Sequence, residues 1–191
     1  MDVPNLIDLL RKAYIEKDED LRVQFDRSLP FADGLFDRWE RAYRLGFGEG
    51  ASIYNSALVY GNVQVGKNTW IGPYTILDGS GGRISIGSYC SISGGVHIYT
   101  HDTVLWALSG GRLGKRTGTV RIGDCCYIAS QCIIAPHVSI GRQCVVAANS
   151  FVNRDVPERT IVGGNPAKTL GRVEGEGADV RLIFKNKMQE K

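Results

Sequence analysis

His101 and Asp102 are adjacent and stand where a regular sequence pattern breaks. Imidazole titrates near neutrality, so it can take a proton from a hydroxyl or amine as that group attacks a carbonyl, and then return it to the leaving group. A carboxylate or backbone carbonyl can fix its tautomer, but adjacency alone does not assign that task to Asp102. His97 and His137 are the other two imidazoles. Five cysteines, at 90, 125, 126, 132 and 144, offer thiols without metal-ligand spacing or an indicated histidine partner.

These groups are positioned by a six-residue period. From Ile53 the chain reads IYNSAL, VYGNVQ, VGKNTW, IGPYTI, with Leu77 in phase before DGSGGRIS adds three residues. The phase resumes at Ile86 with IGSYCS, ISGGVH, IYTHDT, and again at Ile122 through VNRDVP. Aliphatic residues therefore fall at 53, 59, 65, 71, 77, 86, 92, 98, 122, 128, 134, 140, 146 and 152. The fifth position is mostly small: Ala57, Thr69, Thr75, Cys90, Cys126, Cys132, Cys144 and Ser150 among others, with Asp102 the main exception. A period of six does not fit a helix of 3.6 residues per turn. It fits a short strand and a turn per six, three sides to a rung, with rungs stacked about 4.8 Å apart. Four cysteines then fill inward positions as small hydrophobes, and Cys125 falls one step outside them.

Two regions leave the pattern. Before it, Leu6, Ile7, Leu9, Leu10, Ala13 and Tyr14 make a helical stripe from about Pro4, and Leu35, Phe36, Trp39 and Tyr43 make a second. Packing of both stripes on the first rung is the expected use of a helical cap over residues 1–50. Within the coil, 51–170, lies an excursion loop over 99–121, whose stretch TVLWALSGGRLGKRTGTV carries Trp106, paired glycines and three basic residues. Long excursions from rigid repeats commonly build sites. The C-terminal extension, 171–191, ends in DVRLIFKNKMQEK, a short helix or strand against the far end.

The segments GVHIYTHDT at 95–103, IGDCCYIASQCIIAPHVSIG at 122–141 and RDVPERTIVGGNPAK at 154–168 resemble the hexapeptide-repeat acyltransferases. The resemblance is greatest to sugar O-acetyltransferases of the galactoside, maltose and lipopolysaccharide-modifying type. It covers residues 53–170 and implies an all-β fold, a left-handed parallel β-helix. The handedness comes from the resemblance, since parallel crossovers are usually right-handed. It further implies a homotrimer with active sites between subunits, acetyl-CoA as cosubstrate, and a sugar or glycan acceptor attacking directly, without an acyl-enzyme. His101 maps onto the catalytic base, and Ser130 or its backbone N–H onto the oxyanion donor. The coenzyme A wall maps onto Tyr127, Ser130, Ala148, Arg154, Gly164, Pro166 and Lys168, with Tyr127 where the family carries tryptophan. His97, Asp102 and Trp106 are placed beside the acceptor.

Charge agrees with a phosphate-bearing ligand: the net charge is +3, and residues 112–172 hold nine basic against three acidic side chains. No nucleic-acid reading element accompanies that bias. No stretch is long and apolar enough to span a membrane and no secretory leader pattern opens the chain, so a cytoplasmic location is expected. Two readings of other classes stand beside the transferase. One is a non-catalytic structural or binding β-helix. The other is a trimeric, metal-dependent enzyme like carbonic anhydrase, using His97, His101 and His137; the excursion and the G-x-P-A-K ending favour the transferase, with no metal.

Overall fold

The computed structural model describes residues 3–185. Three helices come first: α1 (Val3–Phe25), α2 (Phe31–Leu35) and α3 (Arg38–Arg44). Short strands follow: β1 (Ser52–Ile53), β2 (Leu58–Val65), β3 (Trp70–Ile71), β4 (Ile76–Ile86), β5 (Ser91–Ile92), β6 (His97–Tyr99) and β7 (His101–Asp102). Helix α4 (Val104–Leu108) and β8 (Arg116–Thr117) make the excursion. The coil then continues through β9 (Val120–Ile122), β10 (Tyr127–Ile128), β11 (Ile133–Ile134), β12 (Ser139–Ile140), β13 (Val145–Val146), β14 (Phe151–Val152) and β15 (Thr160–Gly163). Strands β16 (Lys168–Glu174) and β17 (Arg181–Phe184) end it.

The registers show a coil. Ser52 pairs with Trp70 and Ile53 with Ile71, eighteen residues on, in parallel. One side stacks β1, β3, β5, β10, β13 and β15; the second and third form one sheet in the order β12-β9-β4-β6-β11-β14. Both run as one sheet because β4 does not turn at its corner: residues 76–78 pair with β6, while 84–86 pair with β9. The three residues added by DGSGGRIS are thus extended backbone crossing from one side to the next. Across the excursion, Ser91 still pairs with Tyr127 and His97 with Ile133, so the coil resumes in register.

The interior is the aliphatic column read from the sequence. Ile53, Ile71, Leu77, Ile92, Ile98, Ile128 and Ile134 have no exposed surface, and of the fourteen positions only Val59 is half-buried. Each fully buried isoleucine contributes about 1.5–3 kcal/mol of transfer free energy. The small fifth positions close the wall: the thiols of Cys90, Cys126 and Cys144 donate to Gly123 O, Gly141 O and Pro157 O of the following rung. The fourth position of eight of the sixes takes the left-handed region, at Asn68, Tyr74, Tyr89, Cys125, Gln131, His137, Gln143 and Asn149. These are the corners, where a non-glycine residue costs roughly 1–2 kcal/mol and the adjoining ladders hold it.

The cap departs from the expectation, and with it the class becomes mixed α/β, an N-terminal helical region followed by a curled parallel sheet. α1 is 23 residues long and none of its residues is buried. Tyr14 and Leu21 lie against Gly34 of α2, while Leu6, Ile7, Leu9 and Leu10 stay exposed. The second stripe is broken at Asp37, whose carboxylate accepts from Trp39 N and Glu40 N and starts a new helix. The first rung is covered instead by buried Ala42 and Phe47. Arg41 donates to Tyr54 O and Ala57 O there, and burial holds its pKa below the usual value against the opposing pull of Asp33. At the far end β15, β16 and β17 pair antiparallel, giving part of the C-terminal segment as strand; residues 186–191 lie outside the described residues. No helix among the described residues is long and apolar enough to cross a membrane.

Candidate active site

His101 is held from three directions at the corner where β4 crosses. Thr100, fully buried, donates through Oγ1 to Asp78 O at 2.6 Å and accepts from Gly81 N at 3.0 Å. Its carbonyl accepts Gly118 N, and β7 then pairs antiparallel with β8. A Cβ on Gly81 would meet Thr100 O at 2.6 Å and His101 Cβ at 2.5 Å, so only glycine lets the two strands approach this closely.

The groups facing His101 Nδ1 come from the inserted residues. Asp78 Oδ2 is 3.7 Å away and Ser80 Oγ 3.4 Å. Ser80 donates its single hydroxyl proton to Asp78 Oδ1 at 2.6 Å. Its oxygen can therefore only accept from the imidazole, which places the ring proton on Nδ1 and leaves a lone pair on Nε2. Asp78 and Ser80 were not found in the sequence as functional residues. The signal was present in the phase break DGSGGRIS, which puts a carboxylate and a hydroxyl at a corner that β4 crosses as extended backbone.

Asp102 has another partner. Its carboxylate accepts from Arg116 Nε at 3.1 and 3.0 Å and Nη2 at 2.6 Å, and also from Val104 N. Arg116, then Val104 N, hold the Asp102 pKa below the usual range, and Asp102 raises that of Arg116. The pair pins the base of the excursion and does not orient the imidazole.

His101, Asp102 and Arg116 line a cleft of about 510 Å³ with Tyr99, Ile133, Phe151 and His137. His97 is absent from that lining; its Nδ1 lies 3.3 Å from the Tyr99 hydroxyl. Burial and then Asp78 push the Tyr99 pKa up. His137, at a left-handed corner, packs its ring on Gly118. Trp106 sits on α4, half exposed against Gly111, outside the cleft. Among the described residues no group of three or more His, Cys, Asp or Glu is arranged to hold a metal ion.

The remaining candidates lie elsewhere. Tyr127 pairs with Val145, and Val145 with Ile161, so Ser130, Ala148 and Gly164, each three residues on, stack in one column. All three are exposed, as are Tyr127, Pro166 and Lys168, the last paired with Gly163. Arg154 instead follows β14 at the corner shared with Pro136, beside the His101 cleft. One chain therefore keeps His101 and Ser130 on opposite edges of the side built by β6, β11 and β14. Four of the thiols are buried in the wall. Hydrogen bonding with Cys144 and Cys90, then burial, holds the Cys126 pKa up, and burial raises that of Cys132. Hydrogen bonding with Cys126 lowers those of Cys90 and Cys144, the latter to about 7.

Known proteins are similar to this chain. The bacterial transferase hexapeptide family (six repeats) matches residues 119–154. A chloramphenicol acetyltransferase of Escherichia coli is 31% identical over 46% of this chain and 50% of its own length. Serine acetyltransferase 2 of Arabidopsis thaliana is 34% identical over 59% of this chain and 33% of its own. The chain thus spans half or less of these two curated relatives. Among solved structures, a hexapeptide-repeat acetyltransferase of Vibrio cholerae complexed with acetyl coenzyme A is 28% identical. It covers 88% of this chain and 90% of its own at a TM-score of 0.65. The chain thus carries the bacterial transferase hexapeptide repeat over 119–154 and is similar, over most of its length, to a hexapeptide-repeat acetyltransferase.

Proposed function

We propose that this protein is an acetyl-CoA-dependent acyltransferase that moves an acetyl group to a hydroxyl or amine of a sugar or glycan precursor, with His101 as general base. The observation that carries it is the chain from His101 Nδ1 through Ser80 Oγ to Asp78, which leaves Nε2 as the accepting nitrogen beside the cleft. Asp78 stabilises the imidazolium formed when Nε2 takes the acceptor proton. The acceptor oxygen or nitrogen bonds to the thioester carbonyl carbon; the carbon–sulfur bond breaks, and the proton on Nε2 passes to the thiolate. The relative with acetyl coenzyme A bound supports the cosubstrate.

The left-handed coil rests on the resemblance, and the separation of His101 from the Ser130 column supports its packing as a homotrimer. In it the His101 edge of one chain meets the column of the next, so that His101, Ser130 and the coenzyme A wall at Tyr127, Ala148, Gly164, Pro166 and Lys168 form one groove. Arg154 and Lys168 would then reach the coenzyme's phosphates from two chains. In this reading residues 1–50 cap the coil, 51–170 carry the site, 171–191 close the far end, and the enzyme works in the cytoplasm.

Light scattering is expected to find about 63 kDa, three chains of 20.9 kDa. Thiol release from acetyl-CoA, screened over free saccharides, nucleotide sugars and amines, is expected to fall about 10²–10⁴-fold in His101→Ala with the trimer retained. Asp78→Asn should lose about tenfold or more in kcat with little change in acetyl-CoA affinity. An active monomer would remove the shared groove, and near-native turnover in a folded H101A trimer would remove the base.

A further inference from the structure

A second cavity, of about 440 Å³, lies between the helical cap and the first turn and shares no lining residue with the His101 cleft. Its wall is apolar and aromatic: Leu21 and Phe25 of α1, Phe36 and Trp39 of the cap, and Tyr54 of the coil. Phe25, Phe36 and Trp39 are each about half exposed. Covering such surface yields roughly 25 cal/mol per Å². The volume falls within the roughly 300–1,000 Å³ of small-molecule sites.

The charges around it are unequal in availability. Asp37 is used by the α3 N-terminus, and Asp33 accepts Ser56 N at 2.9 Å and faces Arg41. Arg38 lies over the Trp39 ring at 4.1 Å and donates to the Tyr54 hydroxyl at 3.2 Å. Lys17 and Arg27 also line the cavity, and neither makes an ion pair among the described residues. The acids are occupied and two cations are not, so the complementary ligand carries negative charge on an apolar body.

We propose that this cavity binds a small organic anion, an aromatic or acyl body bearing a carboxylate or phosphate, at a site separate from the acyl-transfer cleft. The apolar body fills the slot against Trp39, Phe36 and Tyr54, and the anionic oxygens meet Lys17 and Arg27. The inference does not rest on the transfer reaction.

The test is calorimetric titration of the whole protein with 1-naphthyl phosphate, 1-naphthoate and neutral 1-naphthol. At least one anion is expected to bind about tenfold or more tightly than naphthol. Arg27→Glu, at an exposed position that should leave the melting temperature near native, is expected to weaken anion binding about tenfold and naphthol little. Trp39→Ala should weaken all three ligands, and His101→Ala none. Phosphate above carboxylate, or the reverse, identifies the head group. Equal binding of naphthol and the anions, unchanged anion binding in R27E, absence of binding, or loss in H101A would each overturn the proposal.

Discussion

In the coil from Ile122 to Val156 every inward side chain is buried and each rung repeats its neighbour's register. In the excursion, Leu105, Trp106, Leu108 and Leu113 are apolar and exposed, and the backbone is tied down mainly at its base by β7–β8 and the Asp102–Arg116 pair. One region obtains its geometry from packing and the other from a few polar contacts at its root. The active-site candidate sits at the junction. A base needs a fixed orientation, which the rigid coil supplies, and an open face, which only a departure from the coil provides.

The largest contrast between the two regions should be in stability. Ile134→Ala is expected to cost about 2–5 kcal/mol, while Leu108→Ala in the excursion should stay within about 0.5 kcal/mol; chemical denaturation of both variants measures the difference. Equal losses would mean that the excursion is packed as firmly as the coil. At the junction, Gly81→Ala should lower kcat about tenfold or more while the melting temperature moves far less than in Ile134→Ala, because the added carbon displaces Thr100 and His101 and leaves the interior intact.

A smaller effect is expected on cosubstrate binding. Lys168→Ala should weaken acetyl-CoA about threefold to tenfold at low salt, with the difference shrinking as ionic strength rises. Unchanged affinity at low salt would take Lys168 out of the groove. The smallest effect belongs to the excursion's root. The Asp102 pKa is depressed in the folded state, so its contribution is present above the ordinary aspartate value and is lost as pH falls through the depressed one. Amide exchange in β8 should therefore quicken in acid before the coil melts, and Arg116→Ala should abolish that dependence.

The coil was legible because its period is enforced by burial: an aliphatic residue out of phase would point to solvent, so the pattern survives in the letters. His101 was legible for a related reason, standing where the phase stops. Its partners were not, because Asp78 and Ser80 lie 23 and 21 positions earlier and meet it only when β4 crosses the corner without turning. The neighbouring Asp102 was the visible carboxylate, and it bonds to Arg116 across the hairpin. The helical stripes misled about the cap because periodicity states that a face is apolar and not what covers it. Arg41, which caps the first rung through two carbonyls, belongs to no stripe.

The uninterrupted passage of β4 from one side to the next has a genetic consequence. Within a regular rung a gain or loss of a few codons would throw the following rungs out of phase, but here three extra codons are absorbed as straight backbone. Those codons bring a carboxylate, a hydroxyl and a glycine against the excursion's first turn. An oriented imidazole here therefore depends on two departures from the repeat, the extra residues at this corner and the excursion that begins at His101.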